Sequence, residues 1–365
     1  MSSEDHRFPC ETCGSDMRFD PGADLLVCDH CGHSEPPAGR EPGARAPQPI
    51  RELDFQAALR ADLPAVEMED SRTSDCSNCG ARVALGRDIH ATVCPFCATP
   101  LVTDTGTSRQ IKPGGVLPFA LAEDQARGAM TDWLGRLWFA PGGLQDYARK
   151  GRKMDGIYVP YWTFDADTRS SYSGERGTVY YESRRVTRNG KTETVRVQKV
   201  RWRRAAGRVA RFFDDVLVLA SRSLPKKYTD ALEPWDLTAL EPYQPEYLAG
   251  FSAEGYQIEL EDGFTEARAI MDRQIQRDVR FDIGGDRQRI HNVDTSISDV
   301  TFKHVLLPVW LAAYKFRGKT YRFVVNGQSG RVQGERPWSA WKIAAAVILG
   351  LMVAGVIGYF AAQSR

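Results

Sequence analysis

Residues 156–187 read GIYVPYWTFDADTRSSYSGERGTVYYESRRVT. Aromatic and β-branched residues dominate this run, and the pattern predicts strands. A second stretch of the same character, HVLLPVWLAAYKFRGKTYRFVVNGQSGRV, fills 304–332. Helical spacing precedes each. In 121–139 (LAEDQARGAMTDWLGRLWF) Ala126, Met130, Trp133, Leu134 and Leu137 share one face, and 265–281 (TEARAIMDRQIQRDVRF) is helical as well. The two halves rhyme: a helix, then a strand carrying Pro160-Tyr161-Trp162 or Pro308-Val309-Trp310. The expected fold class is α+β. One domain spans 108–336, internally duplicated at about 108–220 and 250–336, each half a helix on an antiparallel sheet. Asn189-Gly190 reads as a two-residue hairpin turn, and Asn326-Gly327 as a second hairpin's turn between YRFVV and QSGRV.

N-terminal to this domain lie all eight cysteines, as four Cys-x-x-Cys pairs. The first cluster is Cys10-Glu-Thr-Cys13-Gly14 and Cys28-Asp-His-Cys31-Gly32, with fourteen residues between Cys13 and Cys28. The second repeats the spacing: Cys76-Ser-Asn-Cys79-Gly80 and Cys94-Pro-Phe-Cys97, with fourteen residues between Cys79 and Cys94. Two thiolates two residues apart bind one metal ion from a tight turn, and two such turns supply the four ligands of tetrahedral zinc. Glycine after the second cysteine relieves strain where the chain bends back toward sulfur. The expectation is two structural zinc ribbons, at 8–35 and 74–102, each holding one Zn2+; iron in a rubredoxin-like site fits the same ligands. A redox Cys-x-x-Cys would be single and set in a βαβ unit. His30, His33 and His90 lie nearby, but four sulfurs already fill each shell. Between the ribbons, 36–73 is a linker, Pro/Gly/Ala-rich over 36–50, with a short helix at 52–63.

C-terminal to the domain, 343–362 read IAAAVILGLMVAGVIGYFAA, twenty residues without a charge. At about 1.5 Å per residue this is a transmembrane helix. Trp338, Trp341 and Tyr359 sit where interfacial aromatics belong. Arg331, Arg336 and Lys342 precede the span and only Arg365 follows it, which places the N-terminal bulk in the cytoplasm. Reduced cysteines ask for the same side, and MSSEDHRFPC has no apolar core resembling a signal sequence. The expectation is a tail-anchored protein of the inner membrane.

A formal net charge of +1 argues against a globally basic nucleic-acid binder. One local patch is strongly basic: Arg184, Arg185, Arg188, Lys191, Arg196, Lys199, Arg201, Arg203, Arg204, Arg208 and Arg211, with Glu193 as its only acid and Trp202 among them. Such a patch contacts phosphate of nucleic acid or of lipid, or is a solvated hairpin face; nearness in sequence to the span favours lipid or a membrane partner. No catalytic constellation is legible. Gly318-Lys319-Thr320 and Gly190-Lys191-Thr192 lack the upstream glycine of a phosphate-binding loop, and Asp214-Asp215 precedes an apolar run instead of following one. His291 and His304 have no partner pattern, and Asp165, Asp167 and Asp299 read as solvated or capping residues. No small-molecule substrate is evident, and no enzyme is expected.

With the cysteine pairs, Pro160-Tyr161-Trp162, the run VVNGQSGRVQGERPWS at 324–339 and the apolar segment in place, the chain resembles a bacterial family of membrane-anchored proteins with TFIIB-type zinc ribbons. Members are often labelled primosomal protein N′ (replication factor Y), a superfamily II helicase. This sequence departs from the helicase at every motor motif. Some relatives resemble partners of phage-shock-type and flotillin-like envelope-stress proteins. The resemblance implies a membrane adaptor that recruits a protein partner; a membrane-tethered nucleic-acid binder is the alternative.

Overall fold

The computed structural model describes residues 8–37, 50–84, 91–96, 99–102, 107–137, 154–188, 191–316, 319–335 and 339–363. The Pro/Gly-rich stretch, the Asn189-Gly190 turn, His90, Cys97 and Trp338 lie outside them. A small antiparallel sheet, β1 (Arg18–Asp20), β2 (Leu25–Val27) and β3 (Ser34–Glu35), wraps the first cysteine cluster. β4 (Leu53–Asp54) leads into α1 (Phe55–Leu59), where Asp54 Oδ1 accepts the Ala57 N–H at 2.6 Å. The helix expected over 52–63 is therefore shorter. Its first residues pair as a strand, and Ala61 at φ 57° ends it. The stretch expected as a linker is thus tied into the fold. β4 pairs with a distant central strand, and β5 (Met68–Asp75) runs straight into the second cluster. Around that cluster follow β6 (Arg82–Ala84), β7 (Ala91–Val93), β8 (Pro100–Val102) and β9 (Thr107–Ile111).

The main body comprises β10 (Gly115–Val116), α2 (Glu123–Gly135), β11 (Asp155–Arg188), β12 (Lys191–Leu219) and α3 (Lys226–Thr229). After these come β13 (Glu241–Pro242), β14 (Ser252–Ala253), α4 (Leu260–Ile283), β15 (Arg287–Phe316), β16 (Lys319–Asn326) and β17 (Val332–Gly334). The last element is the apolar helix α5 (Ala340–Gln363). The stretch at 156–187, expected as several strands, lies within one strand of 34 residues. β12 and β15 flank it with 29 and 30 residues. Strands of globular proteins usually run about 3–10 residues. Here bulges divide the length: the β11 register shifts against β12 between Phe164 and Ala166, and against β15 between Asp165 and Asp167. Asp215 and Asp299 take the positive φ these bulges require, at 51° and 53°.

Burial marks three zones along β11. From 157 to 166 nearly every residue is buried, so both faces are covered. Tyr158 and Trp162 face the helices, whereas Ile157, Val159 and Tyr161 face the second cysteine cluster. From 167 to 174 burial alternates: Thr168, Ser170, Tyr172 and Gly174 lie under α4, and Asp167, Arg169, Ser171 and Ser173 face solvent. Beyond Gly177, paired with Arg287, β15 stops and β11 and β12 continue as a bare two-stranded ribbon.

α4 buries Gly263, Ala267, Met271, Ile275, Val279 and Ile283, one residue in four, as a straight ridge against the sheet. α2 buries Ala126, Met130 and Leu134 at the same step. A half-turn about the Val159–Leu307 pair exchanges the two sets of contacts. Trp162 Nε1 donates to Ile258 O just before α4, and Trp310 Nε1 donates to Leu121 O just before α2, both at 2.9 Å. Ala220 N donates to Pro160 O and Gly327 N to Pro308 O. The Ala220 carbonyl accepts from Gln257 and Ile258, as the Gly327 carbonyl does from Ala120 and Leu121. β14 pairs parallel with β11 at Ile157, as β10 does with β15 at Val305. Each helix lies on the hairpin that the other half supplies.

The Asn326-Gly327 turn is wider than two residues. Gly327 N is used by Pro308, Gly330 N closes on Asn326 O at 2.9 Å, and the positive φ falls on Gly330. Asn326 Oδ1 accepts from Gln328 N and Ser329 N, and that geometry sets the longer loop.

Candidate metal centres

Three of the cysteine pairs sit on the same local device. Gly14 N donates to Cys10 O and Cys10 N to Ser15 O. Gly32 N donates to Cys28 O and Cys28 N to His33 O; Gly80 N and Cys76 N repeat the pattern with Cys76 O and Ala81 O. The three glycines have φ of 73°, 76° and 74°, the left-handed region that closes the loop. In the fourth turn Cys94 N donates to Thr99 O at 2.8 Å.

These turns bring the sulfurs together. Cys10 and Cys31 lie 3.5 Å apart, as do Cys13 and Cys28, and all four Sγ atoms fall within 4.8 Å of one another. A Zn–S bond of about 2.3 Å in tetrahedral geometry implies sulfurs about 3.8 Å apart. The cage has that size, and it is far wider than a disulfide of about 2.05 Å. In the second cluster the sulfurs of Cys76, Cys79 and Cys94 meet the same criterion, with Cys79–Cys94 at 3.6 Å. The fourth expected ligand, Cys97, lies outside the described residues. Both clusters can hold a metal ion.

Charge in the first cluster supports this reading. The Ser15 N–H holds the Cys13 thiol down at about 6. Cys31 receives a lowering hydrogen bond from His33 N, yet burial and the three neighbouring sulfurs push it up to about 12. Four thiolates cannot share this volume unless a cation offsets them.

Both clusters are joined to the main body by one segment, 247–257. Phe19 N donates to Ala249 O, and the Phe19 ring meets Tyr247 edge-on at 5.3 Å. Gln257 Nε2 donates to Gly80 O, Gly255 N donates to Arg82 O, and Arg82 donates to Tyr256 O. Cys10 and Cys28 are buried in one apolar cluster with Met130 and Trp310, and Cys76 and Cys94 in another with Val159 and Trp235. Beneath the second cluster Glu254 Oε1 accepts from Ser221 Oγ at 2.9 Å and from Ser223 Oγ. Its Oε2 has no partner, and burial pushes the carboxyl up to about 8.

At the bulges a second polar centre forms. Lys303 Nζ lies 2.8 Å from Asp215, 3.2 Å from Glu52 and 3.4 Å from Asp165, which also accepts the Asp215 N–H. Burial works to discharge Lys303, but the carboxylates, Asp215 foremost, hold its pKa above the ordinary lysine range. Burial raises Asp165 to about 6. The carboxylates of Asp165, Asp214 and Asp215 are close enough for a cation, and the Lys303 ammonium fills that role. Asp165, expected as solvated or capping, is instead a buried ion-pair member; Asp167 and Asp299 are exposed, and Asp299 occupies a bulge. No sequence signal marks Lys303 or Glu254, because neither partner set is local.

His304 is buried between Trp162 and Tyr256, with Nδ1 bonded to Ile111 O and a pKa lowered to about 4 by burial. His291 lies at the surface, 3.7 Å from Glu175. The basic residues expected to form one patch are divided. Arg211 is held by Asp278 of α4 at 2.6 and 2.8 Å, and Lys199 is paired with Glu182. Arg201 stacks over Tyr180. Arg184, Arg185 and Arg196 lie exposed on the ribbon, Arg203 and Arg204 lie exposed at its base, where β15 still pairs with β11, and Arg188 pairs in register with Lys191 at its outer end.

Over 343 residues the chain is 26% identical to the uncharacterized protein YdjG of Bacillus subtilis (strain 168). That similarity covers 93% of this chain and 92% of the other. No family model and no solved structure matches. The apolar helix, 341–363, has mean hydropathy 2.4 and no burial, and is long enough to cross a membrane.

Proposed function

We propose that this chain is a membrane-anchored adaptor whose head is stapled by two structural zinc ions. In this reading Cys10, Cys13, Cys28 and Cys31 hold one ion, and Cys76, Cys79, Cys94 and Cys97 hold the other. The observation that carries it is the shared segment 247–257, which joins both cysteine clusters to one body whose chain ends in a membrane-compatible helix. Four thiolates fill a tetrahedral shell and leave no open coordination position for chemistry. In this reading the head faces the cytoplasm from the inner membrane, which the basic residues before the apolar helix and the free cysteines support. The chain performs no catalysis and recruits a protein partner, in keeping with the adaptor role that the family resemblance implies. The main body arose by duplication, with the helices exchanged between halves; the paired bonds of Trp162 and Trp310 support that history.

The test is affinity purification from solubilised membranes followed by mass spectrometry, repeated with Cys76→Ser/Cys79→Ser. A protein partner lost in the variant is the expected result. Recovery of nucleic acid and no protein would sink the adaptor reading.

A further inference from the structure

The β11/β12 hairpin outruns everything that covers it. From Thr178↔Arg201 to Arg188↔Lys191 the two strands pair only with each other, and the side chains at 181–187 and 194–199 are exposed. Every other long element of the main body has a covered face. We propose that this ribbon is a docking arm for double-helical nucleic acid, gripped through its phosphates.

Charge is the first argument. No described carboxylate lies within ion-pair distance of Arg184, Arg185, Arg196, Arg203, Arg204 or Arg208, whereas Arg18, Arg82 and Arg211 are each matched to an aspartate. A chain of 48 basic and 47 acidic side chains leaves these six, three on the free ribbon and three at its base, without a described acidic partner. The type of cation is the second argument: the guanidinium fork matches phosphate oxygens two at a time, and these six are all arginine.

Shape is the third. Register places Arg184 on one face of the free ribbon and Arg185 and Arg196 on the other, with Arg203 and Arg204 continuing these two faces at its base, where β15 still pairs. A two-stranded ribbon fits the major groove, about 12 Å wide, and cations on both faces then meet both phosphate walls. At about 3.4 Å per residue the free ribbon is about 37 Å long, close to one helical turn of about 34 Å.

Position is the fourth, and it separates nucleic acid from lipid. Gly334 of β17 pairs with Phe323, which pairs with Ala312 beside the start of β11, and 335–339 join this end to the apolar helix. The ribbon turn lies 34 residues of strand away, about 110 Å at about 3.3 Å per residue. Near Val159 helices cover one face and the second cysteine cluster the other, so neither face can lie flat on a bilayer. The arm therefore projects away from the end that enters the membrane.

The experiment uses the full chain in nanodiscs of phosphatidylcholine alone, with a fluorescent duplex of about two helical turns read by anisotropy. Six phosphate contacts predict a log–log salt slope of about −5, so affinity drops about 10³-fold between about 50 and about 200 mM salt. Arg184→Gln/Arg185→Gln/Arg196→Gln should flatten that slope by about 3. Arg273→Gln on α4 should leave it unchanged, and the metal content of every variant should match the parent. Three results overturn the proposal: no duplex binding at the lower salt, a triple variant that binds like the parent, or an arm protected from trypsin by phosphatidylglycerol nanodiscs and not by duplex.

Discussion

Single residues set the tightest limits on this fold. At Gly263 an added Cβ would meet Trp162 Cδ1 at 2.7 Å, and that indole is fully buried. Alanine gains about 1 kcal/mol of helix propensity but overpacks a site that cannot relax, which costs about 1–3 kcal/mol. Gly263→Ala should therefore lower stability in denaturant titration, although alanine at the equivalent Ala126 is native. Glu254 makes stability depend on pH. Its folded pKa of about 8 stands above the ordinary glutamate value, so the folded state keeps a proton that the unfolded chain releases. Stability is full below about pH 4.5 for this group and falls as pH rises toward 8, by at most about 1.4 kcal/mol per unit. Glu254→Gln should remove that slope in thermal melts run from pH 5 to pH 8; an unchanged slope would assign it to another group.

At the scale of elements, the bulges decide how three long strands stay together. Asp165, Asp215 and Asp299 fall at one level of β11, β12 and β15, and Lys303 closes the gap between carboxylates. Lys303→Ala leaves at least one buried carboxylate unpaired and should cost about 3–5 kcal/mol in chemical unfolding. Glu52 reaches the same ammonium from the segment before β4, so the variant should also loosen that segment in hydrogen exchange. The helices were legible because their buried residues recur every four positions. The strand lengths were not, because alternation on β11 disappears where both faces are covered and returns only beyond Ala166.

For the whole molecule, the cysteine clusters and the core pack as one body. Cys10, Cys28, Cys76 and Cys94 lie inside the apolar clusters that also hold the central strands. Removing the metal with a chelator should lower the melting temperature of the whole head by more than about 10 °C, followed by near-ultraviolet circular dichroism in detergent. A separate low-temperature transition with the main melt unmoved would show the clusters to be independent modules. The sequence by itself determined the cysteine cages, the apolar span, both long helices and the α+β class. Each of these is written within a few residues, as ligand spacing, apolar length or helical period. Only the tertiary structure decided that both clusters share the segment 247–257 and that each helix lies on the other half's hairpin. It also decided that Lys303 and Glu254 are buried, and that the basic ribbon and the span leave opposite ends of the sheet. Those features depend on pairings between residues far apart in the chain, such as Val159 with Leu307, which no local pattern encodes.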